Sequence, residues 1–310
     1  MAIKRLEVIA STKTESVTKG LNEDVRKEAK ALVGWFKDYR DFVIRGSWYP
    51  DEVFKDMSTS HIVKHAPSTS GYTSYGKLPT THTIYRLMAK NSPLLETAYK
   101  LEGGNCADRC ESLSHSIVDN FKMLHREDKG CPIATTGNHI AMRFFILSHY
   151  IADCHMPLHC DVRPFSEDKG LHALIEKEWE DQVSKSYKID KDNNRFFYDP
   201  DGYPLHLKPT QFVLDVEEDL SKRKYIHSWG TDNENVWDFM SDVSHYSYLF
   251  ARYLIPESFG TDRSFQDFLD DTEWGQRFDK YGVMIFSDAI DSLARIWLHI
   301  WIKYRSWLKP

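Results

Sequence analysis

Along most of this chain apolar residues recur every three or four positions, the spacing of one buried helix face. From Asn22, a capping-type residue, Val25, Ala29, Leu32, Val33, Phe36 and Val43 keep that period, which predicts a helix running to Gly46. A loop, GSWYPDE, follows. Residues 66–82, APSTSGYTSYGKLPTTH, are dense in Ser, Thr, Gly and Pro and read as a long surface loop. Helical patterns return over 83–101, 107–126, 137–154, 171–186, 216–226, 233–254, 264–270 and 280–308. Residues 187–215 differ: short aromatic runs flank Asp199-Pro200-Asp201-Gly202, a strong turn, so a β-hairpin or irregular insertion is expected there. The first twenty residues, polar and threonine-rich, show no strong helical pattern and no clear core segment, and read as dispensable for metal binding. No repeat and no linker-like stretch divides the chain. The expected fold class is therefore all-α: a single multi-helix bundle domain over 1–310 with one small β insertion.

Composition adds limits. The chain has 310 residues, 41% of them hydrophobic and 14% aromatic, enough for a substantial core. A net charge of −6 gives no broad attraction to nucleic acid or an anionic membrane. The most apolar stretch, VMIFSDAIDSLARIWLHIWI, carries Asp288, Asp291, Arg295 and His299, so it reads as an amphipathic core helix and not a transmembrane one. The start lacks a secretory leader. Five cysteines, an odd number, favour reduced thiols. These features point to the cytoplasm, with a trimmed secreted form as the alternative.

The candidate chemistry sits in HYIADCHMPLHC, residues 149–160. His149 and Asp153 are four apart on a predicted helix and share a face. Pro157 cannot continue that helix and pushes Met156 toward extended backbone, so the helix should stop near His155. The turn lets His159 swing back toward His149 and Asp153, while His155 points elsewhere. Farther on, His172 and Glu176 in GLHALIEKEWE form a second pair four apart. Imidazole plus carboxylate is an ordinary zinc ligand set, and two helices each offering such a pair can build a two-metal site. Either pair alone is weak. The compound pattern H-x3-D-x5-H followed by H-x3-E is specific, against the blander reading of buried, mutually bonded His–acid contacts. There is no glycine-rich phosphate loop, G-x-S-x-G motif or dinucleotide fingerprint.

This pattern resembles the zinc-dependent phospholipase C and single-strand nuclease superfamily, all-helical phosphodiesterases with clustered zinc ions. HMPLH is similar to the nuclease branch, and the glutamate of HALIE to the phospholipase branch. The match covers roughly 140–182, with a looser one in GSWYPDEVFKDMSTSHIVKH. The resemblance implies one zinc on Asp51, His65, His149 and Asp153 and a second on His159, His172 and Glu176, with Asp153 reaching a third. It also implies catalytic roles for Asp51 and Asp153. His61, on the same face as His65 if that stretch is helical, could replace or assist it; a surface histidine is the competing reading. The family's third zinc uses a terminal tryptophan and an early histidine, and this chain has no histidine before His61. His61, His82 and His245 stay open as donors for a rebuilt site. The implied function is a zinc-dependent phosphodiester hydrolase, phospholipase C-like, acting on a phospholipid or another phosphodiester. A nuclease acting on nucleic acid and a non-catalytic zinc-binding protein are the alternatives.

Overall fold

The computed structural model describes residues 1–11, 15–39, 46–56, 59–72, 76, 78–91, 93, 98–126, 135–163, 170–190, 195–200, 203–228, 235–255, 270 and 272–309. Helices dominate: α1 (Ala2–Ala10), α2 (Glu15–Thr18), α3 (Glu23–Asp38), α4 (Thr83–Ala89), α5 (Cys106–Arg126), α6 (Gly137–His155), α7 (Pro157–Cys160), α8 (Leu171–Ser184), α9 (Gln211–Lys222), α10 (Val236–Leu254) and α11 (Thr272–Trp307). A single π-helical turn spans Pro50–Phe54. Two small antiparallel sheets complete the fold: β1 (Lys64–Tyr72) with β2 (Tyr99–Gly103), and β3 (Ile189–Asp190) with β4 (Arg195–Phe196). The fold is all-α with a small β insertion. The hairpin lies where the turn at 199–202 placed an insertion, extended by bridges Tyr187–His206 and Tyr198–Pro204. No helix among the described residues is long and apolar enough to cross a membrane.

The 36-residue α11 is the axis, packed against α1, α3, α4, α5, α6 and α9. Its aromatic knobs fill one end of the core: the Trp297 ring centroid lies 5.0 Å from Phe36, and that of Trp301 5.5 Å from Phe121. Asn22 caps α3 as its side chain predicts, accepting from Asp24 N at 2.8 Å. Cys106, Cys110, Cys154 and Cys160 are free thiols, buried among these helices.

Several expectations need correction. The segment read as a surface loop holds β1, and the helix expected over 83–101 stops at Ala89 before the chain returns as β2. The proline at 93 fits the stop: in a continued helix it would lack an N–H for the Ala89 carbonyl and its ring would clash with it. β1 carries no apolar alternation because its buried positions, His65 and Ala66, are adjacent and only weakly apolar, and β2 is mostly exposed. The helix from Asn22 ends at Asp38, and 40–45 lie outside the described residues. So does nearly all of the predicted helix 264–270, while α11 begins eight residues before its expected start at 280. The largest correction is α1: the first residues do hold a core segment, a helix with Leu6 and Ile9 at 0% exposure.

Beneath α1 runs a buried charge network. Arg5 donates from Nε to Asp291 Oδ1 at 2.9 Å, and Arg295 donates to Asp291 Oδ2 at 3.0 Å. Arg223 pairs with Asp288, whose carboxylate caps α4 by accepting from Thr83 N and Ile84 N. His82 and His155 share the Ser292 hydroxyl, each with Nε2 at 2.9 Å from Oγ. Burial holds both imidazoles neutral, lowering each pKa to about 3. The unfolded chain takes up these protons below its own pKa of about 6.5, and the fold does not, so the contribution is intact above that pH and lost as pH falls toward 3. Each histidine should cost about 1.4 kcal/mol per pH unit in that window. Urea unfolding with chelator present at pH 7, 6 and 5 should show this steep loss; a flat profile would contradict it.

Candidate metal centre

Helix α6 ends at His155 as Pro157 dictates, with Met156 extended at ψ 113°. His149 and Asp153 sit one turn apart on its open face, and α7 turns His159 back toward them. Helix α8 brings His172 and Glu176, and the π-turn presents Asp51. Asp51 is the most accessible member of its group, with its side chain 48% exposed.

His61 is held by backbone. Asn105 N donates to Thr59 O at 2.8 Å, Cys106 N to Ile62 O at 3.2 Å, and Val63 N to His159 O at 3.3 Å. The first two bonds need a close approach at Gly104, where φ is +93° and a Cβ would meet Ile62 O at 2.1 Å. Glycine is required there on both counts. Gly46 does the same for the other wall: a Cβ would meet Met142 O at 2.5 Å. That approach brings the Ser47 carbonyl to His149, whose Nδ1 donates to it at 2.8 Å.

Donor atoms of Asp51, His61 and His149 converge, with Asp153 beside the two histidines. His61 Nδ1 lies 2.8 Å from Asp153 Oδ2, and His149 Nε2 lies 3.1 Å from His61 Nδ1 and 3.3 Å from Asp153 Oδ2. Asp51 Oδ1 is 3.5 Å from His149 Nε2 and 3.8 Å from His61 Nδ1. A second group follows, with Glu176 Oε1 at 2.9 Å from His172 Nε2 and 3.3 Å from His159 Nε2. Asp153 links the two groups, since its Oδ1 stands 3.4 Å from His159 Nδ1. That Nδ1 is buried and makes no aligned hydrogen bond. Within each of the triads Asp51–His61–His149 and His159–His172–Glu176, one donor atom per residue lies within 4.8 Å of the others.

These separations fit an ion. Donors about 2.0–2.2 Å from a tetrahedral cation stand roughly 3.3–3.6 Å apart, in the middle of the observed spread. The electrostatics agree. Burial pulls the His61 imidazolium down, but Asp153, Asp56 and Asp51 outweigh it and raise its pKa to about 9. Burial works against the Glu176 carboxylate, yet bonds from His159 and His172 bring its pKa down to about 2. The His149 hydrogen bond holds Asp51 below the usual carboxylate range despite partial burial. Without metal, the His61 imidazolium supplies positive charge beside Asp153, Asp56 and Asp51.

The structure thus brings together Asp51, His149 and Asp153, and likewise His159, His172 and Glu176. It does not bring His65 to them. Residue 61 lies in a bend and 65 in β1, so the stretch is extended, not helical. Four residues of extended chain span about 13 Å, too far for both imidazoles to serve one ion. His65 instead points Nε2 at Ser244 Oγ, 3.2 Å away, with its ring beside Tyr99 and His245. His82 and His245 also lie in other surroundings, on Ser292 and against the Tyr99 ring respectively. His61 is the residue that sequence reasoning undervalued; the alternation His61, Val63, His65 was the available signal for extended backbone.

No protein-family model matches the sequence, and no curated protein matches it. Among solved structures, the chain is similar to the alpha-toxin of Clostridium perfringens isolated from an avian strain. The TM-score is 0.43 at 12% identity, covering 96% of this chain and 63% of that one. The chain thus spans less than two thirds of that toxin's length.

Proposed function

We propose that this chain is a zinc-dependent phosphodiester hydrolase, phospholipase C-like, holding at least two cations. The observation that carries the proposal is the pair of donor triads, Asp51–His61–His149 and His159–His172–Glu176, each with its donor atoms within 4.8 Å of one another, and Asp153 standing between them, 2.8 Å from His61 Nδ1 and 3.4 Å from His159 Nδ1. The mix of imidazole nitrogen and carboxylate oxygen suits zinc. The motif resemblance supports the same chemistry. Zinc bound there supplies Lewis acidity to a phosphoryl oxygen and makes water a nucleophile near neutral pH.

The protein's own groups have defined tasks in this reading. The Ser47 carbonyl accepts from His149 Nδ1 and so leaves Nε2 free to bind a cation. Asp153 holds one cation and sets its negative charge beside His159, a ligand of the other. Asp51, at the open edge of the cluster, orients the attacking water and accepts its proton. Among phosphodiesters we favour a phospholipid. Glu176 stands where the phospholipase branch carries glutamate, and the net charge of −6 offers a polyanion no general attraction.

The test is metal analysis of the zinc-reloaded full chain beside hydrolysis of a generic aryl phosphodiester, lecithin and single-stranded DNA. At least two zinc ions per chain are expected, with chelator-sensitive hydrolysis of the aryl diester and of lecithin. Fewer than one ion per chain would sink the proposal. Hydrolysis of DNA alone would move it to the nuclease branch, and bound zinc without hydrolysis would leave a metal-binding protein.

A further inference from the structure

No metal-ligand motif marks Asp56, yet it is the best-held carboxylate beside the cluster. Its Oδ1 accepts from His61 Nε2 at 3.0 Å, and its Oδ2 accepts from the Tyr150 hydroxyl at 2.7 Å. Arg109 Nη2 reaches the same Oδ2 at 3.4 Å, and its guanidinium lies over the Tyr150 ring at 5.3 Å. Tyr150 is fully buried and follows His149 directly on α6. Two elements that carry donors of the first group, the bend at 61 and α6, therefore meet at Asp56.

His61 faces a carboxylate from each ring nitrogen, Asp153 Oδ2 at 2.8 Å from Nδ1 and Asp56 Oδ1 at 3.0 Å from Nε2. A carboxylate only accepts, so the His61 nitrogen facing Asp56 must carry a hydrogen. With that hydrogen on Nε2, Nδ1 is the nitrogen left to offer a lone pair to a cation on the side of Asp153 and His149. Rotation of the ring would break both of its hydrogen bonds. We propose that Asp56 is a positioning residue: it fixes the tautomer and orientation of His61 for a cation in the first site, and Tyr150 and Arg109 fix Asp56. This rests on the metal-site reading above and extends it beyond the ligands. Outer partners of this kind are commonly worth 10–100-fold in metal affinity.

Cobalt(II) alone is a suitable probe, titrated into metal-free full-length protein against a chelator while its visible absorption is followed. Wild type should show two sites. Asp56→Ala should weaken one of them by about 10–100-fold, change its spectrum and leave the other unchanged. Asp56→Asn can still accept from His61 and turn its amide hydrogens toward Tyr150, so it should hold the loss to about tenfold or less. His61→Ala should abolish the same site that Asp56→Ala weakens. Melting of each metal-free variant separates weak binding from poor folding. Unchanged affinities in Asp56→Ala, equal losses at both sites, or a loss in Asp56→Asn as deep as in Asp56→Ala would overturn the inference while the metal sites stand. Wild type that binds no cobalt would overturn the metal-site reading itself.

Discussion

Removal of residues 1–11 is expected to leave a chain that does not fold, not one with a trimmed tail. The helix it deletes places Leu6 and Ile9 at 0% exposure and Arg5 at 2%. Truncating a fully buried Leu or Ile to Ala costs about 2–5 kcal/mol. Breaking a buried ion pair by removing one partner costs about 3–5 kcal/mol, because the other charge stays in the core. Arg5 also donates to the carbonyls of Leu220 at 2.8 Å and Arg223 at 3.0 Å, tying α9 and the chain after it to α1. Together these losses match the whole stability of an ordinary domain, about 5–15 kcal/mol. Single changes keep the idea testable. Leu6→Ala should lower the unfolding free energy from urea titration by about 2–5 kcal/mol. Arg5→Ala should fall toward the low end of its range, since Arg295 still holds Asp291. A truncated chain with the wild-type midpoint would show that α1 adds nothing to the core.

That helix also shows what the sequence could not reveal. Its apolar positions are spaced as a helix requires, but Lys4, Arg5 and Glu7 stand among them, and a buried arginine looks like a surface one until its partner is known. The partner, Asp291, lies 286 positions away. Where the signal is local, the reading succeeded. Asn22 names its own helix start, Pro157 names the end of α6, and the four-residue spacing of His149 with Asp153 and of His172 with Glu176 sets each pair on one face. Where it is nonlocal, the reading failed. β1 and β2 pair across a gap that contains α4, and their polar faces leave no alternation. His61 differs from His65 in where the backbone of 59–63 is pinned, by bonds to 105, 106 and 159 far along the chain. Asp56 looks like any loop aspartate until Tyr150 and His61 close on it.

The ligand series should separate these cases by effects larger than any change to a supporting residue. His61→Ala removes a donor 2.8 Å from Asp153 Oδ2 and 3.1 Å from His149 Nε2, so the first cation should be lost by more than the roughly 100-fold that an outer partner is worth. Asp153→Asn removes charge from the group shared by both sets, so it should lose the first cation, weaken the second and bring phosphodiester hydrolysis to background. His65→Ala should keep both cations, because that ring packs on Ser244, Tyr99 and His245; its cost should appear only as lower stability. His155→Ala should behave likewise through the lost Ser292 contact. Zinc content after dialysis, paired with turnover of an aryl phosphodiester, reads all four variants in one experiment. Should His65→Ala strip the metal while His61→Ala retains it, residues 59–65 would have to run differently from the path seen here. The constraint from Gly104, with its φ of +93°, would then need another explanation.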